Sequence, residues 1–346
     1  MGINIEGGRY ARTTYGTVCP WKHHITPIKN YEYTCSLKRD TDMSNDQNAR
    51  HHYIPRFILR PFCCDNKERI WYYDKLTGEL SKRYIKDIFM ERGLYRDEKN
   101  APDDPEKVEK DLAKYEAEVA KLIRNRLLED NTIHLTWEEK DSLELFLALL
   151  WFRSLRELEW EKERAGMSFF TRLIRKLRKI PDPYELWKQN VGHLSKCRSL
   201  EEVIMHPDIS KYAKDKIISE VFGERGMYMI VAERRGPEDF IIGDSYPMGQ
   251  SCKSKYHGHF SMYTFYPISP KRMVIMVYKT PEGIKFPISI KHFDDAFLKP
   301  PREDKKGITI TVKKMYTEKV KELNDVFMDS AVSAIAFKDP GRVRIP

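Results

Sequence analysis

The change of hydrophobic period along the chain constrains the fold more than any other feature. From Glu106 to Leu128, the residues Val108, Leu112, Tyr115, Val119, Leu122, Ile123 and Leu127 recur three and four apart, the spacing of one helix face. Thr136-Trp137-Glu138-Glu139 has the pattern of a capping box, and the helix it opens is predicted to run to about Ala165. Its stripe is Leu143, Phe146, Leu147, Leu150, Trp151, Leu155 and Leu158, while Arg153 and Arg156 are expected in solvent, where most helix arginines lie. Residues 181–219 read as a helical connector, with Trp187, Val191, Leu194, Leu200, Val203 and Ile204 as core contacts. After Gly226 the pattern becomes that of strands: Met227 to Ala232, Phe240 to Ile242, Met262 to Pro267, Arg272 to Tyr278 and Ile308 to Val312. Tyr316 to Phe337 closes the series as a helix. Earlier, Arg69-Ile70-Trp71-Tyr72-Tyr73-Asp74 approaches a turn at Leu76 to Gly78 and then leaves it, the pattern of a hairpin. The class is α+β. A helix-rich centre packs with a mostly antiparallel or mixed sheet, formed by the N-terminal hairpin and the C-terminal strands.

Composition supports a folded chain. Of 346 residues, 41% are apolar and 12% aromatic, enough for a substantial core. Residues 1–50 form a polar, irregular leader that contributes little to that core, residues 51–337 a single α+β domain, and residues 338–346 a tail. The net charge of +9 is compatible with nucleic acid or another polyanion as partner, and equally with a soluble surface of mixed sign. Phe169 to Lys179 sharpens that choice: Phe169, Phe170, Leu173, Ile174 and Leu177 form one face, and five basic residues the other. A packed surface helix with a solvated basic face accounts for it as well as a nucleic-acid-facing one. No apolar secretory stretch follows Met1, and no window approaches the roughly 20 apolar residues of a membrane span. Six scattered cysteines without a Cys-x-x-Cys pair read as reduced thiols, so the expected location is the cytoplasm.

The densest chemistry lies in His51-His52-Tyr53-Ile54-Pro55-Arg56-Phe57-Ile58-Leu59-Arg60-Pro61-Phe62. Pro55 suits the first position of a helix and Pro61 its end, so Arg56 and Arg60, four apart, share a face. One side of this segment can enter a core while the other presents a basic row. Asp244 follows an apolar strand and a glycine, a position typical of functional carboxylates. A histidine near neutral pKa, a carboxylate to orient it and arginines to hold an anion make an acid–base site for a phosphate ester. His51, His52, Arg56 and Asp244 supply the catalytic types, and Arg60 and Asn324 the binding ones. The competing explanation is architectural: the histidines cap the Pro55 helix, Arg56 pairs with Asp244, and the group locks sheet to helices. His257-Gly258-His259 and Cys63-Cys64 lack the spacing of a metal site, so no metal is assigned and no cofactor can be named. No phosphate-cradling glycine loop, nucleophile elbow, His-Glu-x-x-His or dinucleotide fingerprint occurs, which removes the common nucleotide, hydrolase and zincin classes.

His51-His52-Tyr53-Ile54-Pro55-Arg56-Phe57, followed by Tyr73-Asp74-Lys75-Leu76-Thr77-Gly78, resembles the pattern of domain of unknown function family 4238. Phe240-Ile241-Ile242-Gly243-Asp244-Ser245-Tyr246-Pro247 is similar to a later element of that family, with Gly243, Ser245 and the extra Tyr246 as departures. Pro267-Ile268-Ser269-Pro270 and the helix bearing Leu323-Asn324 also look family-like. The resemblance spans about His51 to Phe337. It implies a shared fold and candidate positions, and no chemistry. Two expectations stand: a phosphodiesterase-type enzyme, such as a nuclease in defence or as a toxin, or a non-catalytic nucleic-acid- or protein-binding domain in which the His-His motif is structural.

Overall fold

The computed structural model describes residues 49–155, 157–158, 182–218, 227–254, 258–278, 293–294 and 296–345. Residues 1–48 of the leader, the basic stretch 169–179, Arg156 and His257 lie outside them, while Arg50, expected in the leader, is described. The fold is α+β, with helices packed beside several mostly antiparallel sheets.

The helical layer follows the apolar period. Helix α2 (Lys107–Leu122) buries Val108, Leu112, Tyr115 and Val119, then loosens into a π turn, Ile123–Leu127, that keeps Ile123 and Leu127 inside. Helix α3 (Trp137–Phe152) opens on the expected capping box: Glu139 N–H donates to Thr136 Oγ1 at 3.2 Å, and Thr136 N–H to Glu139 Oε2 at 3.0 Å. It is apolar nearly all round, as befits a helix enclosed by others. It also ends at Phe152, well before the expected boundary near Ala165. Arg153, expected in solvent, forms the cap and is fully buried. The connector contains helices α4 (Pro183–Leu194), α5 (Leu200–Met205) and α6 (Lys211–Ile217). Asp182, Ser199 and Ser210 cap them, each accepting backbone N–H bonds. Trp187, Val191, Leu194 and Val203 are buried as expected, whereas Ile204 is 46% exposed.

The largest sheet has the order β13-β6-β10-β9-β8, built from β6 (Met227–Arg234), β8 (Met248–Ser254), β9 (Gly258–Pro267), β10 (Arg272–Tyr278) and β13 (Lys313–Met315). Its pairs are antiparallel except β13 with β6. Strand β12 (Gly307–Thr311) joins a separate sheet with β11 (Arg302–Glu303) and β5 (Thr132–Thr136), the last unforeseen because its five residues run directly into the capping box. Gly307 is required there: a Cβ at this position would lie 1.9 Å from the Leu135 carbonyl oxygen. The hairpin, β2 (Arg69–Asp74) and β3 (Leu80–Tyr84), does join C-terminal strands, but in a sheet of its own with order β3-β2-β14-β7. Here β7 is Ile242–Gly243 and β14 is Ala334–Phe337.

Strand β14 corrects the expectation of a helix running to Phe337. Helix α7 (Thr317–Ser330) stops seven residues earlier, and Ala334 to Phe337 form an interior strand, buried at every position. The physical reason is local. Val332, Ser333 and Ala334 all donate their N–H groups to the Asp244 carboxylate, so those amides are withdrawn from the helical ladder. Lys75, just past β2, donates its ammonium to the Met328 and Ala331 carbonyls, satisfying the end of α7. Asp74 closes the hairpin by accepting from Leu76 N–H at 2.9 Å and Thr77 N–H at 3.1 Å, and Gly78 takes the positive φ of +72°. The Tyr-Asp-Lys-x-x-Gly run thus builds a turn and seals a helix end.

Lys75→Met keeps the length of the side chain and removes the charged donor. It should lower stability by about 1.5–3 kcal/mol, read from the urea midpoint, with far-UV circular dichroism otherwise native. A midpoint within error of wild type would show that the carbonyls of α7 do not depend on this lysine.

Candidate functional site

Strand β1 (Arg50–His52) pairs antiparallel with β4 (Met90–Arg92), which places His51 opposite Glu91 and turns the two imidazoles to opposite sides of the ribbon. His51 goes inward and is 1% exposed. Its Nδ1 accepts from Tyr95 N–H at 2.8 Å, so its Nε2 carries the proton and donates to Glu106 Oε2 at 2.6 Å. Glu106 is held in turn by Arg96, at 2.9 Å. The ring heads an aromatic stack: His51 lies on Tyr95, Tyr95 on Trp187 and Trp187 on Tyr184, with centroids 5.6, 5.8 and 5.8 Å apart. Burial draws the His51 pKa down against the pull of Glu106. Both nitrogens are committed and the ring is sealed, so His51 is not the helix cap that the sequence suggested.

His52 differs. It is half-buried, and its Nε2–H donates to the Ile85 carbonyl at 3.1 Å, which leaves Nδ1 with the lone pair. Burial, followed by the charges of Arg56, Arg153 and Arg50, lowers its pKa to about 4. At neutral pH it is an uncharged base surrounded by guanidinium groups.

The carboxylate facing the motif is Glu68, not Asp244. Arg56 Nη2 donates to Glu68 Oε2 and Arg60 Nε to Glu68 Oε1, both at 2.9 Å, and the bond from Arg60 leads in holding the Glu68 pKa low. Glu68 has a positive φ of 55°, rare for this residue type. Its carbonyl accepts from Ile85 N–H at 3.0 Å, in the residue whose own carbonyl holds His52. Arg56 and Arg60 share a helix face as expected, although the α-helix is only Arg56–Leu59 and passes at Arg60–Phe62 into a 3-10 turn.

Asp244 is 1% exposed and saturated. Besides the three amides, it accepts from Ser333 Oγ at 2.7 Å. Asn324 is also buried, its amide donating to Asp239 O at 2.8 Å and accepting from Ile241 N–H at 3.3 Å. The pairing of Arg56 with Asp244 is therefore replaced, and Asp244 and Asn324 brace helix α7 against β7 away from the histidines' own partners.

Two residues that the sequence reading did not assign to the site have unusual surroundings: Arg153, which it expected in solvent, and Glu109. Arg153 is fully buried; its Nη2 donates to Glu116 Oε1 at 2.5 Å, while Nε and Nη1 have no acceptor among the described residues. Among those residues the hydroxyl of fully buried Tyr95 and the Nε of Arg56 also lack partners. Glu109, two turns before Glu116 along α2, has its pKa raised to about 7 by burial and by Glu116, against the charge of Arg153. The Arg153 charge acts both on the neutral His52 imidazole and on the Glu109 carboxyl poised near neutrality, and these are the group types that acid–base chemistry on an anion uses. Arg153 follows an apolar helix and was expected in solvent, while Glu109 is one of many charged residues on the amphipathic α2, so no signal singled it out.

Fold and site together define an α+β protein organised around a buried polar hub at the His-His segment. The chain belongs to the family described as protein of unknown function, DUF4238, whose profile matches residues 50–341. No curated protein and no solved structure matches it. Among the described residues, no helix is long and apolar enough to cross a membrane.

Two outcomes follow from this geometry. Asp244→Ala leaves three amides and a hydroxyl without that acceptor in a turn that runs from exposed Val332 to buried Ala334, and should cost about 3 kcal/mol in equilibrium unfolding; a loss under ~1 kcal/mol would contradict the placement. For His52 the folded pKa of about 4 lies below the ordinary 6.5. The unfolded chain therefore binds the additional proton between those values, and the stability carried by the neutral ring is complete above pH 6.5 and lost as pH falls through about 4. His52→Gln should flatten the dependence of urea midpoint on pH across that window, whereas parallel slopes for variant and wild type would refute the assignment.

Proposed function

We propose that this protein binds a phosphate ester beside His52 and cleaves a phosphodiester there, with His52 as general base. One observation carries the reading: among the described residues, the fully buried Arg153 keeps two N–H donors without acceptors, and its charge acts on the His52 imidazole, which burial holds neutral. An unsatisfied guanidinium is costly inside a protein, and a phosphate oxygen is the acceptor its planar fork fits best. Water or a substrate hydroxyl gives its proton to His52 Nδ1 while its oxygen attacks phosphorus. The bond from phosphorus to the leaving oxygen breaks, and Glu109, protonated near neutrality, supplies the proton that oxygen takes up. Arg153 and Arg56 balance the charge that develops on the equatorial oxygens. The net charge of +9 suits a polyanionic substrate such as nucleic acid.

A second reading has its own support. His51, Asp244 and Asn324 have all their polar atoms engaged, as in a structural brace, and the chain then serves as a non-catalytic binding module for nucleic acid or a protein.

The readings part on one experiment. Cleavage of bis(4-nitrophenyl) phosphate and of single-stranded RNA and DNA is measured with thermal stability for wild type, His52→Ala, Glu109→Gln and Arg56→Lys. The catalytic reading expects a bell-shaped profile with limbs near pH 4 and 7, the values of His52 and Glu109. It expects His52→Ala to lose ~10²–10⁴-fold in rate while staying folded. The acid limb should vanish in His52→Ala and the alkaline limb in Glu109→Gln. A folded wild type that neither cleaves nor binds phosphate esters ends the catalytic reading.

A further inference from the structure

Away from the His52 group, His193 near the end of α4, His206 just after α5, and Asp208 come together from two segments. Each offers one ligand atom, and the three atoms all lie within 4.8 Å of one another. The imidazoles are 5.0 Å apart between centroids. His193 and His206 are half-buried and Asp208 is exposed, so the cluster opens to water on one side. We propose that His193, His206 and Asp208 form a binding site for a divalent transition metal of the zinc type, with solvent in the fourth position.

Chemistry selects the ion class. Two imidazoles and one carboxylate suit zinc, cobalt, nickel or copper, whereas magnesium and calcium take oxygen ligands. Bonds of roughly 2.0–2.2 Å put tetrahedral donors roughly 3.3–3.6 Å apart, so closure moves the donors by little more than an ångström. The exposed Asp208 side chain supplies that movement by a change of rotamer. The ligands' backbones are already held in register. Asn190, three residues before His193, donates its amide to Ser210 Oγ at 3.0 Å and accepts Ser210 N–H at 2.9 Å, and Ser210 lies two residues beyond Asp208. This reciprocal bracket fixes α4 against the loop from which His206 and Asp208 project.

Two costs are visible. His206 Nδ1 accepts from the Asp208 N–H at 3.2 Å, and the metal takes that lone pair in place of the amide. At this length the bond is at the weak end for N–H donors. Lys196 and Lys107 bring positive charge towards His193, but Lys196 is paired with Asp111 at 3.6 Å. Burial and His206 hold His193 below its ordinary pKa, which keeps it in the uncharged form that binds metal. The bound ion clasps α4 to the α5–α6 connection and acts on stability independently of catalysis at His52.

The test uses tag-free full-length protein freed of metal by chelator and titrated with Zn²⁺ by calorimetry and with Co²⁺ by visible absorption. The expected result is one equivalent of zinc, a raised Tm, and cobalt d–d bands without thiolate charge transfer. His193→Ala and His206→Ala, or His206→Gln if alanine impairs folding, should weaken zinc by more than the roughly 10–100-fold typical of an outer-shell partner. Metal-free Tm should hardly move in these variants, and Asp208→Asn should weaken binding less. Absence of zinc binding overturns the proposal. So does undiminished affinity in both histidine variants, or thiolate charge transfer, which would assign the ion to cysteine.

Discussion

The Asp244 carboxylate is the constraint on which the C-terminal half depends. Its two oxygens collect three successive amides and the Ser333 hydroxyl, and its own N–H returns to the Ala334 carbonyl. This ends a helix, turns the chain and delivers Ala334 to the centre of a sheet. Without that acceptor, three amides would need other partners, and the buried Ala334 N–H could not turn to water, which is costly. Because β14 also pairs with β2, the same carboxylate sets how the first hairpin meets the end of the chain. A residue with the signature of a catalytic acid is here committed to geometry.

A second polar hub organises the N-terminal half. His51, Glu106 and Arg96 form a partly buried chain whose tautomer is fixed by the Tyr95 amide, and the stacked rings of Tyr95, Trp187 and Tyr184 carry it onto α4. Such a network is costly when half-satisfied, and among the described residues the His51 end is satisfied while Arg153 and the Tyr95 hydroxyl keep polar atoms without partners. The division explains why adjacent histidines have unlike environments. Strand alternation sends one inward to a carboxylate and leaves the other half-buried among arginines.

Much of the architecture was legible. The capping box at Thr136, the period of α2, the hairpin at Asp74 and strands β6, β9 and β10 of the main sheet follow from local rules that operate within a few residues, whereas β8 and β13 of that sheet were not foreseen. The misses share a cause. Ala334 to Phe337 have no strand-specific pattern and continue a helical stripe; only a carboxylate ninety residues away removes them from the helix. Strand β5 needs β12 as a partner to be a strand at all. Arg153 has a polar side chain on an apolar helix and becomes buried because α2 brings Glu116 to it.

The sequence by itself determined the α+β class, the helix caps, the membership of the family and the His-His segment as the place where charge and bulk coincide. Which charges meet there was decided only by the tertiary structure. Arg56 had Asp244 and Glu68 equally available in the sequence, and the turn after the 3-10 helix, with Glu68 at positive φ, put the nearer carboxylate in reach. His51 and His52 are chemically identical until burial and neighbours separate them. A side chain's identity fixes what it can donate or accept, whereas its protonation state and partner depend on desolvation and distance, and both arise only when segments far apart in the chain are packed together.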